Sequence, residues 1–508
     1  MSVASEPILP AIIVGSGLAG LTVSDVLINQ YNLKNVTIVD KNPKVGGNSI
    51  KASSGISAAD TKQQHDLKIE DDSADIFYND ILKSTGQSPN VDQLLINKLS
   101  VDSKHAVEYL TEKHGLKLDK ISKLGGHSVR RTHKSSNGIP PGYEMISTLE
   151  KSILKKIEED DNNDKNVNFK MNTKLINFTV HKDTSIKEVT FMDISTGKTF
   201  KLKTNNLVLA TGGFSANKNL IGKILENEVN KLQNKDHDDD SIISKKLILS
   251  KLATLPTSNG EFASGDLINL LLGKPELSCQ FRDLSEIQIH PTGFIDPSEP
   301  DSLNKILAGE QLRGNGGILV NPTTGGRFVN ELDTRDKVSK AIFDQNLEND
   351  IVYLVLSEKG GEANMDTLGF YMKKGLVEKT TPEQLFSGAD THKLSKFVSE
   401  IRSYSILHDD RFGRDFKMNS FETDFDKSST IYVGKVTPIL HYTMGGLAIN
   451  ENGLILNNND DVVDPGFYAV GEQTGGIHGK NRLGGCSLLE SVVFGLEVGK
   501  SIGDKFTK

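Results

Sequence analysis

The chain has 508 residues, of which 25% are charged and 36% hydrophobic, and its formal net charge at pH 7 is −8. This composition is typical of a globular protein with a large buried core and excludes a mainly disordered chain. The acidic balance argues against a nucleic-acid partner, because phosphate binding requires a basic surface.

The two cysteines, Cys279 and Cys486, form no CxxC or CxxCH motif. The sequence therefore predicts neither a disulfide framework nor ligands for an iron–sulfur cluster, a c-type haem or another metal. No apolar run approaches the ~20 residues that cross a bilayer, and the stretch 8–21 is interrupted by Pro10 and three glycines. We expect a cytoplasmic protein with no membrane partner; the alternative is a mitochondrial or other organellar location.

The chain opens with a βαβ unit. The apolar run 11–14 predicts a buried strand, the glycine-rich turn 15–20 follows it, and residues 21–30 have helical spacing. A second strand is predicted at 36–39 and ends at Asp40. Two strands joined through a helix imply a parallel sheet with helices on its faces, so the predicted class is α/β.

Helical and strand patterns continue along the chain. Residues 66–118 have apolar side chains at 3–4 spacing, which predicts helices, and residues 166–210 contain three strand-like runs. Residues 226–246 are rich in Asn, Lys and Asp and predict a solvated surface loop or helix. The end of the chain predicts a strand at 467–470 and a final helix at 487–506.

Units typical of a cofactor-binding sheet stand at both ends of the chain. We therefore predict one Rossmann-like α/β domain formed by residues 1–284 and 442–508, into which a middle α+β domain, residues 285–441, is inserted. The protein as a whole is then α+β.

The turn 15–20 reads Gly-Ser-Gly-Leu-Ala-Gly, the GxGxxG pattern of a dinucleotide site. Gly15 permits the tight turn, Gly17 lets the backbone approach a pyrophosphate, and Gly20 allows close helix–strand packing. The N-terminus of the following helix favours an anion. Asp40 stands 20 residues after Gly20 and is placed to accept hydrogen bonds from an adenosine ribose.

Later segments favour FAD over NAD as the dinucleotide. Glycines and small polar residues after Asp40 suit a loop that follows the diphosphate and ring of a flavin, and the segments 210–213 and 469–472 resemble further flavin contacts. The N-terminus of the last helix would direct its positive dipole end to the flavin pyrimidine and favour a reduced, anionic ring. The predicted contacts in these segments are Gly47, Asn48, Ser49, Ser54, Gly55, Glu472, Ser487 and Leu488.

Seven further motifs extend this pattern over nearly the whole chain. They are residues 125–128 (GGHS), 288–293 (QIHPTG), 310–314 (EQLRG), 327–331 (RFVNE), 334–336 (TRD), 441–446 (HYTMGG) and 481–485 (NRLGG). With them the sequence resembles the soluble, fungal-type fumarate reductases of the succinate dehydrogenase/fumarate reductase flavoprotein family. The resemblance implies an FAD-binding domain from both ends of the chain, a mobile clamp (capping) domain between them, and an active site at their junction.

The resemblance also implies how a substrate is held. Reduction of fumarate to succinate requires a hydride on one alkene carbon, from N5 of reduced FAD, and a proton on the other. By family position, Arg482 and His441 grip one carboxylate and His290 helps to hold the other. Asp266 stands where the family has an FAD-contacting aspartate, although Leu267 replaces the glycine that follows there.

Arg335 matches the arginine that the family uses as proton donor, with Glu310 and Arg313 as the relay that returns its proton. The alternative role for Arg335 is a purely electrostatic clamp. The resemblance assigns Arg327 and Glu331 to fixing the loop that carries Arg335. Gly309 departs from the threonine or alanine that is commoner there, so no carboxylate contact is carried over to it.

Two histidines of the family-like segments, His127 and His133, are expected to make structural hydrogen bonds. Four sister activities are alternatives: a respiratory-complex flavoprotein subunit, L-aspartate oxidase, urocanate reductase and ketosteroid dehydrogenase. Respiratory subunits attach FAD through a histidine after the glycine-rich loop, whereas residues 46–56 contain none, so we predict non-covalent FAD. A urocanate reductase should carry tyrosine in place of His290, and steroid enzymes lack the paired cationic grip.

A flavin- or nucleotide-binding protein without catalysis is the alternative outside enzymes. The sequence contains no second complete GxGxxG for NADH and no haem or iron–sulfur motif. The predicted partners are therefore fumarate and succinate, with an external reduced flavin or a reductase as electron donor.

Overall fold

The computed structural model describes residues 7–159, 167–181, 184–233, 251–386, 391–406 and 410–507. The strands in these ranges are β1 (Ile8–Val14), β2 (Val36–Val39), β3 (Ile56–Ser57), β4 (Lys120–Ser122), β5 (Thr132–Lys134), β6 (Val167–Lys170), β7 (Thr173–His181), β8 (Ile186–Asp193), β9 (Thr199–Leu209), β10 (Phe281–Arg282), β11 (Ile287–Phe294), β12 (Ile318–Val320), β13 (Val352–Ser357), β14 (Glu378–Thr380), β15 (Ile431–Thr443), β16 (Gly446–Ala448), β17 (Phe467–Ala469) and β18 (Thr474–Gly475).

The same ranges contain fifteen α-helices. They are α1 (Leu18–Asp25), α2 (Lys62–Asp66), α3 (Ala74–Ser84), α4 (Gln93–Val101), α5 (Ser103–Glu108), α6 (Pro141–Glu158), α7 (Lys218–Gln233), α8 (Asp266–Leu272), α9 (Gln311–Gly314), α10 (Arg335–Phe343), α11 (Glu358–Ala363), α12 (Met365–Lys373), α13 (Pro382–Leu385), α14 (Thr391–Ile406) and α15 (Cys486–Gly503).

The first large sheet has the strand order β6-β2-β1-β9-β8-β7, and β17 also pairs with β9. The pairs among β6, β2, β1, β9 and β17 are parallel, whereas β7 and β8 form an antiparallel extension of β9. Parallel strands are buried on both faces, which explains the continuous apolar run at the end of β1. Because β17 comes from the C-terminal end, both ends of the chain build one sheet, as the sequence predicts.

Helices α1 and α15 cover this sheet and cross each other closely. A Cβ atom on Gly495 would lie 2.8 Å from Cβ of Thr22, and one on Gly499 would lie 2.7 Å from Cβ of Val26. Glycine at these two positions lets the helix backbones approach to a distance that any side chain would prevent. The close contact holds the N-terminus of α15 near the turn that follows β1.

The second large sheet is antiparallel, with the order β11-β15-β13-β12 and β14 paired to β15. Its core includes Leu319, Leu354 and Val436, and α10 packs Val338 and Ile342 against it. The mixed α/β class with an inserted antiparallel unit agrees with the prediction. The domain division at 284/285 and 441/442 stays a prediction; the sheet itself begins at Ile287 and its last strand ends at Thr443.

Several predicted elements differ in detail from the observed ones. Helix α1 begins at Leu18, earlier than expected, and passes into a π-helical turn at Val26–Gln30. Strand β7 was not predicted, because it alternates buried and exposed side chains at the sheet edge. The polar segment 226–246 lies in α7 up to Gln233, and its remainder falls outside the described residues. None of the described helices is long and apolar enough to cross a membrane.

Candidate active site

A cavity of about 740 Å³ is lined both by the turn after β1 and by Arg335 at the start of α10. Twelve of the thirteen predicted cofactor contacts line it, namely Gly15, Gly17, Asp40, Gly47, Asn48, Ser49, Ser54, Gly55, Asp266, Glu472, Ser487 and Leu488. The thirteenth, Gly20, packs inside the fold, where a Cβ atom would overlap the carbonyl oxygen of Gly15. The structure therefore brings the predicted contacts from both chain ends to one place.

Three glycines in the cavity wall test whether a dinucleotide fits. A Cβ atom on Gly212 would meet no protein atom within 4 Å, and one on Gly47 would meet only Cα of Gly17 at 4.0 Å. A Cβ atom on Gly15, by contrast, would overlap the carbonyl oxygen of Ala210. Gly15 is thus required by the fold, whereas Gly47 and Gly212 leave backbone open to the cavity. Such a wall fits a long ligand that lies close to the main chain.

Two helix N-termini reach the same cavity. Helix α1 begins after Gly17 and α15 begins after Gly485, and neither N-cap residue caps its helix with a side chain. In α1 the N–H of Leu18 donates to the Ser49 hydroxyl at 3.3 Å, and the other N–H groups of the first turn face the cavity side. The unpaired N–H groups and the helix dipole favour negative charge at both points. The residues present therefore fit a dinucleotide pyrophosphate at α1 and an electron-rich ring edge at α15.

The carboxylates of Asp40 and Glu472 already accept hydrogen bonds from other residues of the protein. Oδ2 of Asp40 accepts hydrogen bonds from the N–H and the hydroxyl of Ser16 at 2.8 and 2.6 Å, so the carboxylate holds the glycine-rich turn. Oε1 of Glu472 accepts from the N–H of Thr443 at 3.0 Å. Burial raises the pKa of Glu472 to about 7, against the opposing effect of this hydrogen bond. Ribose and ribityl contacts for these two residues remain predictions.

Asp266 and Asn48 also contact protein groups in the cavity wall. Asp266 forms ion pairs with Lys41 at 2.7 Å and Lys174 at 2.9 Å. Burial would raise the pKa of Asp266, but hydrogen bonds from the two lysines lower it to about 2. The side-chain oxygen of Asn48 accepts from the N–H of Gly260 at 3.0 Å. Both residues therefore shape the wall, and their contact with FAD remains a prediction.

The four residues predicted to touch the substrate, His290, Arg335, His441 and Arg482, line this cavity together. The register of β11 and β15 shifts after Gln288, which leaves His441 as the extra residue of β15. Such a bulge bends its strand and redirects the side chain. The rings of His290 and His441 consequently lie 5.3 Å apart between centroids, and Nδ1 of His441 lies 2.8 Å from the Ser258 hydroxyl.

Arg335 is the first residue of α10, and its guanidinium group is held by two partners. Nε and Nη2 donate to Oε2 of Glu310 at 2.8 and 2.5 Å, and Nη1 donates to Oε1 of Gln288 at 2.6 Å. An arginine with this many contacts is fixed in position although it lines a cavity. Its two Nη groups each retain one further N–H for a ligand.

Arg482 lies in the segment before α15. Nη2 donates to Oε1 of Gln288 at 3.0 Å, and the guanidinium carbon lies 4.3 Å from the ring centroid of Tyr442. Its Nε is buried and has no hydrogen-bond partner among the described residues. Burial, and then the charge of Arg335, lower the pKa of Arg482 to about 9, so the group stays charged at pH 7.

The two histidines are neutral near pH 7. Burial, and then the charge of Arg335, hold the pKa of His290 and of His441 well below its ordinary value. The N–H of Thr292 donates to Nδ1 of His290 at 3.2 Å, which assigns the ring proton to Nε2. This Nε2–H is buried and has no partner among the described residues. It can therefore donate to an anionic ligand in the cavity that His290 lines.

Glu310 and Arg313 lie behind Arg335 and do not line the cavity. Burial would raise the pKa of Glu310, but the charges of Arg335 and Arg313 lower it to about 2. Burial lowers the pKa of Arg313 to about 10. Arg313 donates to the carbonyl oxygen of Glu331 at 2.6 Å, and its Nε and Nη2 have no partner among the described residues. The predicted relay thus has one direct hydrogen-bonded link, between Arg335 and Glu310.

A second set of buried charges supports the segment of Arg313. Arg327 donates to Glu331 at 2.9 and 2.8 Å and to Asp410 at 2.6 Å. Arg414 donates to Glu331 at 2.9 Å and to the carbonyl oxygen of Arg313 at 2.8 Å. Each buried charge here has an opposite partner, as burial requires. These contacts hold Arg327 and Glu331 in place; that the two residues fix the loop of Arg335 stays a prediction.

His127 and His133 make the structural hydrogen bonds that the sequence suggests. Nε2 of His127 donates to the carbonyl oxygen of Gly484 at 2.9 Å. Nδ1 of His133 donates to the carbonyl oxygen of Arg131 at 2.7 Å, and its Nε2 lies 2.8 Å from the Thr61 hydroxyl. Burial is the main cause that lowers the pKa of each histidine to about 4.

Sequence reasoning gave no role to five residues that the structure brings to the site. Gln288 is buried between Arg335 and Arg482, and the others line the cavity: Ser53, Ser258, Asn259 and Tyr371. Gln288 had a usable signal, because it stands two residues before His290 on one strand. The described residues contain no group of three His, Cys, Asp or Glu side chains that could hold a metal ion.

Comparison with known proteins gives the class of this chain. Residues 11–488 match the family described as FAD binding domain. A match of this extent agrees with the cavity, whose glycines and helix N-termini fit a flavin dinucleotide. The chain belongs to this FAD-binding family, and FAD is its cofactor.

Two fungal proteins and one solved structure are similar over nearly the whole chain. Fumarate reductase 1 of Saccharomyces cerevisiae is 40% identical over 97% of this chain and 98% of its own. Fumarate reductase of Schizosaccharomyces pombe is 35% identical over 96% of this chain and 88% of its own. The open conformation of a flavocytochrome c3 fumarate reductase superposes with a TM-score of 0.72, at 29% identity, over 99% of this chain and 79% of that one.

Proposed function

We propose that the protein is an FAD-dependent fumarate reductase that reduces fumarate to succinate. The observation that carries the proposal is the convergence of two guanidinium groups, Arg335 and Arg482, on the cavity that also holds the flavin contacts. The 40%-identical fungal relative that is named a fumarate reductase supports the same substrate. Bound FAD supplies the two electrons, as a hydride from N5 of its reduced ring.

The proposed grip on the substrate uses the two arginines and the two histidines. Fumarate carries two carboxylates, and Arg482 and Arg335 offer two positive charges in a site shielded from water. The unpartnered Nε–H of Arg482 and Nε2–H of His290 are buried donors that a carboxylate can satisfy. We assign Arg482 and His441 to one carboxylate and His290 to the other. A grip at both ends fixes the alkene and helps to polarise it.

In this proposal Arg335 donates the proton to the alkene carbon that does not receive the hydride. Arginine ordinarily keeps its proton, so the transfer is confined to the transition state. Once Arg335 is neutral, the larger of the two charges that lower the pKa of Glu310 is gone, and Glu310 becomes a stronger base. Glu310 then takes a proton from Arg313 and passes it to Arg335, and a proton from solvent restores Arg313. The products are succinate and the original charge state of the site.

The electron donor and the location are further parts of the proposal. An external reduced flavin or a reductase delivers the electrons, since the sequence holds no second dinucleotide motif and no haem or iron–sulfur motif. We place the protein in the cytoplasm. The two cysteines are both free, which agrees with a reducing compartment.

Anaerobic reoxidation tests the proposed function. The holoenzyme is reduced chemically, and fumarate, urocanate, crotonate and a ketosteroid are added separately while the flavin absorbance is followed. Fumarate is expected to restore the oxidised spectrum with one equivalent of succinate formed per flavin. Failure of fumarate to reoxidise the flavin, or faster reoxidation by urocanate or the steroid, would overturn the proposal.

A further inference from the structure

Ser53 has a hydroxyl group that the fold leaves unused. Its Oγ is buried and makes no hydrogen bond of acceptable geometry to the described residues. Ser53 lines the cavity together with the two arginines and two histidines of the proposed grip. A buried hydroxyl without a partner has lost its hydrogen bonds to water and gained none in the fold, which is unfavourable. A bound ligand that accepts a hydrogen bond from this hydroxyl would remove the unfavourable free energy.

Gly309 shows what surrounds this hydroxyl. A Cβ atom built on Gly309 would lie 3.0 Å from Oγ of Ser53 and 3.5 Å from the hydroxyl oxygen of Tyr371. The next residue, Glu310, binds Arg335. The absence of a side chain at 309 therefore leaves room for the Ser53 hydroxyl beside the residue that holds Arg335.

The Tyr371 hydroxyl already makes two hydrogen bonds within the protein. It donates to the carbonyl oxygen of Leu307 at 3.0 Å and accepts from the N–H of Gly309 at 3.1 Å. Its only hydrogen atom is thus used, and it cannot donate to an anion. The Ser53 hydroxyl lies near enough to lower the pKa of Tyr371, against the larger effect of burial, but no hydrogen bond of good geometry joins the two hydroxyl groups.

We propose that Ser53 is a substrate-binding residue whose hydroxyl donates to the carboxylate that His290 helps to hold. The inference rests on the proposed function, because it takes a dicarboxylate as the ligand. Ser53 Oγ and Nε2 of His290 are both buried donors without a partner, and both line the cavity that Arg335 lines. A carboxylate that receives both, beside the Arg335 charge, removes two unsatisfied groups at once.

The competing role for Ser53 is a contact with FAD, since the loop that carries it also carries predicted flavin contacts. The two roles differ in what they change. Loss of a substrate contact weakens succinate and fumarate binding and leaves the flavin unaltered. Loss of a flavin contact changes the FAD content or the flavin absorbance spectrum of the holoenzyme.

The test compares Ser53→Ala with wild-type holoenzyme. Succinate binding is measured from the perturbation of the flavin absorbance, which requires no turnover, and KM and kcat for fumarate are measured separately. Removing one hydrogen bond to a charged group should weaken succinate binding and raise KM by about 10- to 100-fold, with a smaller change in kcat. The exposed control Ser136→Ala, outside the cavity, should leave all three values unchanged.

A rescue variant separates substrate binding from damage to the fold. In Ser53→Ala/Gly309→Ser the new side chain enters the space that Oγ of Ser53 has left, so its hydroxyl should restore most of the lost affinity. Unchanged succinate binding in Ser53→Ala would overturn the inference, as would a change limited to FAD content or flavin spectrum. If wild-type enzyme binds succinate but does not reduce fumarate, the proposed function fails while the Ser53 comparison still decides this inference.

Discussion

Arg335 and Arg482 donate to the same oxygen atom, Oε1 of Gln288, at 2.6 and 3.0 Å. Two buried positive charges are thus drawn together by a neutral amide, which orients them without cancelling either charge. The amide nitrogen of Gln288 holds the loop of Arg482, because Nε2 donates to the Arg482 carbonyl oxygen at 2.7 Å. The positive charges of the two arginines are then compensated by a dianionic substrate and not by the neutral amide.

Gln288→Glu should therefore impair substrate binding. The new carboxylate would lie between the two arginines, satisfy their charge and repel an incoming carboxylate. We expect KM for fumarate to rise by about 10- to 100-fold, from the loss of charge-assisted contacts. Steady-state kinetics at increasing fumarate would measure the change. Gln384→Glu makes the same substitution on the exposed surface and serves as control; equal KM values in the two variants would contradict the role of Gln288.

Arg335→Ala should abolish fumarate reduction. A general acid contributes about 10²- to 10⁴-fold to the rate, so kcat should fall at least by that factor. Arg335→Lys should recover little, because lysine is shorter and lacks the planar fork that binds Glu310 and Gln288 together. Retention of near-wild-type kcat in either variant would remove Arg335 from the proton-transfer step.

The control for this variant concerns stability. Removal of Arg335 leaves the Glu310 carboxylate buried without its main partner, which costs about 3–5 kcal/mol. The double variant Arg335→Ala/Glu310→Gln removes that unpaired charge. Thermal denaturation should show recovered stability, while fumarate reduction remains absent. Recovered activity in the double variant would mean that the single variant had failed through folding.

FAD should be bound without a covalent link. Residues 46–56 contain no histidine, and the two histidines that line the cavity, His290 and His441, face the arginines of the proposed substrate site. Precipitation of the holoenzyme with acid should release all of the yellow colour into the supernatant. Colour that stays with the protein pellet would show a covalent flavin.

Stability should fall as pH decreases from about 6.5 to about 4. Folded His127 and His133 have a pKa of about 4, lowered from 6.5 by burial, so the unfolded chain binds protons first in this window. Each pH unit costs up to about 1.4 kcal/mol per histidine. Above pH 6.5 these two residues are neutral in both states and contribute no further change.

Urea denaturation midpoints at about pH 7 and about pH 5 measure this effect. His127→Gln should reduce the difference between the two midpoints, since the contribution of that histidine is removed. The exposed His181→Gln should leave the difference as in wild type. A difference between the two midpoints that is as large in His127→Gln as in wild type would contradict the assignment.

Much of the fold follows from local patterns in the sequence. The run 11–14, the turn 15–20 and Asp40 predict the first βαβ unit, because strand, glycine turn and acid have fixed spacing. Two cofactor-type units at the chain ends predict one shared domain, which agrees with β17 joining the first sheet; its pairing with β9 was not predicted. Strand β7 was missed, since an edge strand with alternating exposure has a weaker signal than a buried one.

Only those residues of the candidate site that belong to a recognisable sequence motif could be predicted. Arg335, His441 and Arg482 were found through family-like motifs, and the structure brings them to one cavity. Gln288 and Ser53 were not assigned, because their roles depend on contacts between residues nearly 200 or more positions apart. The sequence pattern around Gly309 does not show that the missing side chain leaves room for the hydroxyl of Ser53, which comes from a distant segment.

The central claim is that the cavity selects a substrate with two carboxylates, and relative kcat/KM values test it most directly. Fumarate, crotonate, acrylate and urocanate are compared with one common reductant. A monocarboxylate leaves buried charge unpaired at a cost of ~2–5 kcal/mol, so kcat/KM for fumarate should exceed that for crotonate by about 10²- to 10³-fold or more. A kcat/KM for crotonate, acrylate or urocanate that equals the value for fumarate would contradict it.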